Sequence, residues 1–179
     1  RFPGKKFLFS LCIGSMLLPT MVTLIPLYIM WTRGLNLVDS YLPLILPYFC
    51  GGGAFNIFLI RQFISTIPRE LDEAATIDGA GHFRILVSII MPAIKSAMIV
   101  VALLLFIQMW NDLLQQIIYI NSGSKFTIAI GLSQFKGSLK SDWSAIMCAT
   151  CMSFVPGVVF YLLGQKYFVE GIVMTGMKN

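Results

Sequence analysis

The 179-residue chain is 57% hydrophobic and 12% charged, with a mean hydropathy of +0.82 and a formal net charge of +5. Soluble domains carry about 25% charged residues, so this composition excludes a water-soluble globular domain. The 13 basic residues are spread between apolar runs and form no basic stripe for nucleic acid.

A helix needs about 20 mainly apolar residues to cross about 30 Å of hydrocarbon. Four segments reach that length, at about 7–31, 40–60, 96–120 and 143–165. The expectation is an all-α polytopic membrane protein, a bundle with four spanning helices. Arg1 to Lys6 is too short for a folded domain, and the apolar run from Phe7 is too long for a signal peptide and lacks a small-residue cleavage site. Pro19 and Pro26 predict kinks in the first span, because each removes a backbone donor and frees a carbonyl. A helix bent around a polar pathway and an irregularity of packing both fit those kinks. Gly34 to Asp39 reads as a short turn on the far side.

In the second span, Gly51-Gly52-Gly53-Ala54 makes a wall without side chains and predicts a close helix crossing. No Lys-Ser/Thr follows, so a phosphate-cradling loop is a poor alternative. Asn56 is a polar group in this span, suited to an interhelical hydrogen bond or to a ligand contact.

Residues 66–92 form an island of charge holding four of the eight acidic residues. Pro68 suits a first helical position, and Glu70, Asp72 and Glu73 then lie near the positive end of the helix dipole. Leu71, Ala74 and Ala75 fall on one apolar face, and Gly79 supplies the left-handed residue that commonly ends a helix. Gly81 loosens the turn. From His82 the spacing restarts, with Phe83, Leu86, Val87 and Ile90 on one face, until Pro92 interrupts the ladder. The result is a compact elbow. On charge alone it is an ordinary connector between membrane spans.

Ala93 to Ile120 follows as the third span, with Lys95 snorkelling to the near surface. Its distal end reads Gln108-Met109-Trp110-Asn111-Asp112. A carboxylate at the centre of a spanning helix costs about 2.5 kcal/mol or more, so Asp112 should face a polar cavity or lie near the outer surface. Residues 121–142 form the longest external segment, read as a loop punctuated by Gly123, Gly131 and Gly137. Cys12, Cys50, Cys148 and Cys151 read as buried thiols, and no second Cys pair or histidine accompanies the C-x-x-C at 148–151. His82 is the single histidine and has no nucleophile beside it. No G-x-x-x-x-G-K-[ST] occurs, so the chain binds no ATP in the P-loop manner and no enzymatic site is expected. Nine basic residues fall in the loops and ends on the side of the elbow and four on the other, which puts the elbow and both ends in the cytoplasm.

The elbow also carries a long gapped motif: Glu73-Ala74-Ala75, three residues, Gly79, nine residues, Ile89, one residue, Met91 and Pro92. This resembles the EAA loop of permease subunits of ATP-binding-cassette importers. Met91 stands where Leu is usual, a swap that conserves volume. Leu18-Pro19, Thr23 to Tyr28, Trp110-Asn111-Asp112, Tyr119, Phe126-Thr127, Gly131-Leu132, Phe135-Lys136-Gly137 and Gln165 to Ile172 are similar to the carbohydrate-uptake branch, the maltose/glycerol-phosphate permease family.

That resemblance implies the transmembrane domain of a type I ABC importer, with residues 1–179 its carboxyl-terminal part, preceded by two further helices. It implies that the elbow seats in a groove on an ATPase subunit. Glu73 would meet polar groups there, Ala74 and Ala75 would permit close approach, Gly79 would shape the turn, and Asp78, Ala80 and Gly81 would share the contact. It further implies two ATPase partners, which bind the ATP and Mg, a second permease subunit, an extracytoplasmic solute-binding protein touching the external segment, and a bacterial or archaeal cytoplasmic membrane. No cofactor is expected in this chain. Asn56, Gln108, Trp110 and Asn111 are the candidate substrate path, since amides and aromatic faces suit sugars. Against that, Trp110 is equally read as an interfacial anchor and Asp112 as a local cap. A permease for a non-sugar solute and an ion-driven secondary transporter that uses Asp112 are the rivals.

Overall fold

The computed structural model of the protein describes residues 3–49, 53–137 and 143–176, with side chains as far as Tyr167. Among these residues the regular structure is entirely helical: α1 (Lys5–Ser15), α2 (Thr20–Ile29), α3 (Leu42–Phe49), α4 (Ala54–Ile64), α5 (Arg69–Ile77), α6 (His82–Ile85), α7 (Met91–Ala93), α8 (Lys95–Asn111), α9 (Leu114–Tyr119), α10 (Ile128–Gly137) and α11 (Trp143–Gly176). Two compact units form, Arg1–Phe55 with Ile107–Val158, and Asn56–Phe106 with Val159–Asn179.

Leu42–Ile64 and Trp143–Tyr167 are long and apolar enough to cross a membrane. The other two predicted spans are broken. In place of one helix over 7–31, α1 and the stretch Thr20–Gly34 meet at 100°. Pro19 is the cause. Its ring lacks an N–H and sits extended at ψ 132°, and α1 closes before it with tight bonds from Met16, Leu17 and Leu18 to Ile13, Gly14 and Ser15 carbonyls at 3.0–3.2 Å. At 11 residues, about 16 Å long, α1 cannot cross alone. Pro26 does not break α2; a π-turn over Met30–Gly34 follows it, in which the Leu35 amide donates to the Met30 carbonyl at 3.0 Å.

His82–Ala93 and α8 likewise meet at 76°. The expected stop at Pro92 moves to Ile94, at φ −104° and ψ 17°. A second π-turn, Leu86–Ile90, leads into Pro92, and its wider pairing, with the Met91 amide on the Leu86 carbonyl, absorbs the donor that Pro92 lacks. At its other end the third span stops at Asn111 instead of 120, because Asp112 Oδ1 accepts the Gln115 amide at 3.2 Å and restarts the chain as α9.

Residues 121–137, part of the segment read as a loop, carry the helix α10. Thr127 caps α10, accepting the Ile130 amide at 3.4 Å through its hydroxyl, and Ile130 is buried. Cys148 and Cys151 are exposed, contrary to the expectation of buried thiols, because the outward face of α11 in a single chain is covered only by lipid or by another subunit. Cys50, Gly51 and Gly52 lie outside the described residues. A close approach is found at Gly164, where an added Cβ would stand 1.9 Å from Cδ1 of Leu103. Phe106 and Phe160 pack in the same unit, ring centroids 4.1 Å apart.

Candidate functional site

Three groups of residues stand out, the first being the elbow. Pro68 leads into α5 with ψ 137°, and Glu70 and Asp72 occupy the first turn, where the helix dipole favours acid. At the far end Gly79 takes φ +79°. The Ala80 amide bonds the Ala75 carbonyl at 2.9 Å and the Gly79 amide bonds that of Thr76 at 3.1 Å, the paired closure of a Schellman turn. The chain then re-enters a helix, with the Ile85 amide on the Gly81 carbonyl at 3.0 Å.

This turn presents apolar surface. Ile77 is 86% exposed and Phe83 79% exposed, on either side of Gly79. Glu73, Ala74, Asp78, Gly79 and Gly81 are also exposed, and Ala80 is half-buried. Ala75 is different. At 9% exposure it faces the chain's own interior, so the close approach it permits is intramolecular, while Leu71, placed on the same face by its spacing, is exposed. Asp72 was read from sequence only as a dipole acid. Its Oδ1 is closed off from solvent and has no hydrogen-bond donor among the described residues. Leaving such an oxygen unpaired costs about 1–3 kcal/mol, so Asp72 is an acceptor without a donor.

The second group is a polar clamp in the other unit. Asp39, at φ +52°, accepts the Asn121 and Ser122 amides on Oδ1 at 2.8 and 2.9 Å. Its Oδ2 takes the Ser122 hydroxyl at 2.6 Å and the Lys125 ammonium at 3.0 Å. Tyr41 donates its hydroxyl to the Lys125 carbonyl at 2.8 Å. The Ser122 hydroxyl and amide, then the Asn121 amide and the Lys125 ammonium, hold the Asp39 carboxyl well below the usual carboxylate range. Only the turn at 34–39 was visible in sequence, because the clamp partners lie more than 80 residues away.

The third group is a small open cleft lined by Leu44, Tyr48, Met109, Asp112, Gln115 and Gln116. The candidate path residues are placed elsewhere. Trp110 donates Nε1 to the Ser153 carbonyl on α11 at 3.1 Å, Asn111 turns back to the Ile107 carbonyl at 2.8 Å, Gln108 is exposed, and Asn56 belongs to the other unit. Asp112 is a local cap and also a wall of the cleft. Among the described residues no group of three or more His, Cys, Asp or Glu side chains stands where it could hold a metal ion.

Residues 1–172 match the family described as binding-protein-dependent transport system inner membrane component. The chain is 36% identical over 179 residues to a probable ABC transporter permease protein, YurM, of Bacillus subtilis (strain 168), covering 100% of this chain and 59% of the relative. It is 35% identical over 180 residues to the maltodextrin transport system permease protein MdxG of the same organism, covering 100% of this chain and 64% of the relative. A solved bacterial ABC transporter involved in import of the acidic polysaccharide alginate aligns with a TM-score of 0.79 at 22% identity, over 94% of this chain and 63% of that one, which shows the fold. The chain thus spans about 60% of the length of such curated relatives. The EAA elbow, the helical fold and the match across nearly the whole chain agree, and the chain belongs to the membrane-embedded permease family of ABC importers.

Proposed function

We propose that this chain is part of the translocation path of an ATP-driven importer whose solute is a sugar or oligosaccharide handed over by an external binding protein. The observation that carries the coupling is the elbow: a left-handed glycine between two short helices, flanked by bare Ile77 and Phe83. An apolar tip of this kind seats in a groove. In this reading the groove lies on an ATPase subunit that binds ATP and Mg, and closure of the ATPase pair swings the elbow and the helices joined to it. A second permease completes the path. The basic residues put the elbow and both ends of the chain on the cytoplasmic side of the cell membrane. Carbohydrate names among the relatives, and the Trp110-Asn111-Asp112 run, support a sugar.

The test is a disulfide or bifunctional crosslink from Ile77→Cys to a co-expressed ATPase subunit in membranes, with and without ATP. Ile77 is chosen because Ala75 is buried in the chain itself. A specific crosslink that changes with nucleotide is the expected result. An intact assembly that gives no crosslink from any exposed elbow position would remove the elbow from the coupling account.

A further inference from the structure

Near its start α11 reads Met147-Cys148-Ala149-Thr150-Cys151-Met152, four sulfur side chains in six residues. At about 3.6 residues and 5.4 Å per turn, positions 147, 148, 151 and 152 fall within an arc of about 140° and a rise of about 7.5 Å. All four stand in the open. Met147 is 59% and Met152 74% exposed, and Cys148 and Cys151 are exposed free thiols. The residues between and beside them turn the other way: Ile146 is buried, and Ala149, Thr150 and Ser153 are half-buried. The Ser153 carbonyl accepts Nε1 of Trp110 at 3.1 Å, which helps to fix the side that α11 turns inward.

The chemistry of the arc is uniform. From 143 to 164 the chain has no carboxylate, imidazole, amide or amine side chain. The neighbouring hydroxyls are spent on their own helix, Thr150 donating to the Ile146 carbonyl and Ser153 to the Thr150 carbonyl, each at 2.8 Å. Two cysteines alone leave a metal short of ligands. The thioethers supply the rest, because Met147 with Cys151, and Cys148 with Met152, are i, i+4 neighbours on one face, and methionine is flexible enough to fold over a bound ion. Thiolate and thioether are soft ligands, suited to Cu(I) and unsuited to Mg(II) or Ca(II), which take oxygen.

We infer that Met147, Cys148, Cys151 and Met152 form a site for a soft monovalent cation of the cuprous class. Each ligating thiol gives up its proton to solvent as its sulfur bonds the metal. Copper stays Cu(I) throughout, so no oxidant or reductant is needed. The site lies apart from the elbow and does not rest on the importer reading.

The test uses the full-length permease in its assembled complex, in detergent and without oxygen, titrated with Cu(I) against the chromophoric chelator bicinchoninate. In parallel, maleimide labelling of each cysteine is read by peptide mass spectrometry in the presence of Cu(I), Ag(I) or Mg(II). Cu(I) and Ag(I) should protect Cys148 and Cys151, with labelling of Cys12 unchanged, and Mg(II) should protect neither. One Cu(I) per copy of this chain should bind beyond what a Cys148→Ser/Cys151→Ser double variant retains. Losing an outer-shell partner costs about 10–100-fold in metal affinity and losing a ligand at least as much, so each single serine variant should bind about tenfold more weakly or worse. Met147→Leu with Met152→Leu keeps the apolar volume, removes both thioethers and should also weaken binding about tenfold. The protection measurement needs no variant, so it decides the matter even where a serine variant fails to assemble. Cys148 and Cys151 left unprotected by excess Cu(I) overturn the site, as does Cu(I) fully retained by the double serine variant. An affinity unchanged in the double leucine variant overturns the four-sulfur ligand set.

Discussion

The Asp39 clamp and the elbow are both polar islands in a greasy chain, and they end in opposite states. At the clamp, both carboxylate oxygens are filled by two amides, a hydroxyl and an ammonium, all from this chain. At the elbow, an Asp72 oxygen is shut away from water without a donor, and two large apolar side chains stand in the open. A polar cluster that satisfies itself holds a fold together. The same residue type, an aspartate near the end of a helix or turn, is therefore satisfied at 39 and unsatisfied at 72.

The largest expected effect breaks the elbow at its hinge. Gly79→Val places a β-branched side chain at φ +79°, where nothing within 4 Å obstructs a Cβ but the backbone itself disfavours it. Insertion into the membrane should survive, while transport by the assembled importer falls to background. Normal uptake in that variant would remove the turn from the coupling account.

A smaller effect tests the orphaned acceptor. Asp72→Ala removes an unmet oxygen from the isolated permease, so thermal stability in detergent should hold or rise slightly. A clear fall in melting temperature would show that this oxygen does find a donor within the chain.

The smallest effect lies at the clamp and is read by pH. The folded-state value for Asp39 is lowered relative to the unfolded chain. Its contribution is then complete above the ordinary carboxylate range, near pH 4, and fades only as pH falls further toward the lowered value. Asp39→Asn should lower the melting temperature at neutral pH and flatten the acid limb of the stability profile, with transport coupling little changed. A coupling defect equal to that of Gly79→Val would erase the distinction between the two islands.

Much of the elbow was legible because its signals are local. Pro68, Gly79 and Gly81 set backbone geometry at their own positions, and the gapped motif fixes its own spacing whatever surrounds it. The direction in which Ala75 faces was not legible, since helical spacing says which residues share a face and says nothing about what covers that face. The cleft was half-seen. Asp112 drew attention as a rare charge near a span, and its alternatives, cap or cavity wall, turned out to be compatible. Tyr48 and Gln115 carried no local signal at all.

By itself, the sequence determined that this protein is a helical membrane permease whose charged elbow turns at a left-handed glycine, because hydrophobic length, a gapped motif and the backbone freedom of glycine act through short-range physics. Tertiary structure decided where the spans break, which small residue receives Leu103, and which polar groups meet. Those outcomes depend on pairings between residues far apart in the chain, such as Asp39 with Ser122, or Trp110 with the carbonyl of Ser153. Prolines announce that a helix will be disturbed. Whether the disturbance becomes a 100° break, as at Pro19, or is absorbed near a π-turn, as at Pro26 and Pro92, depends on which neighbouring carbonyls and amides can still find partners.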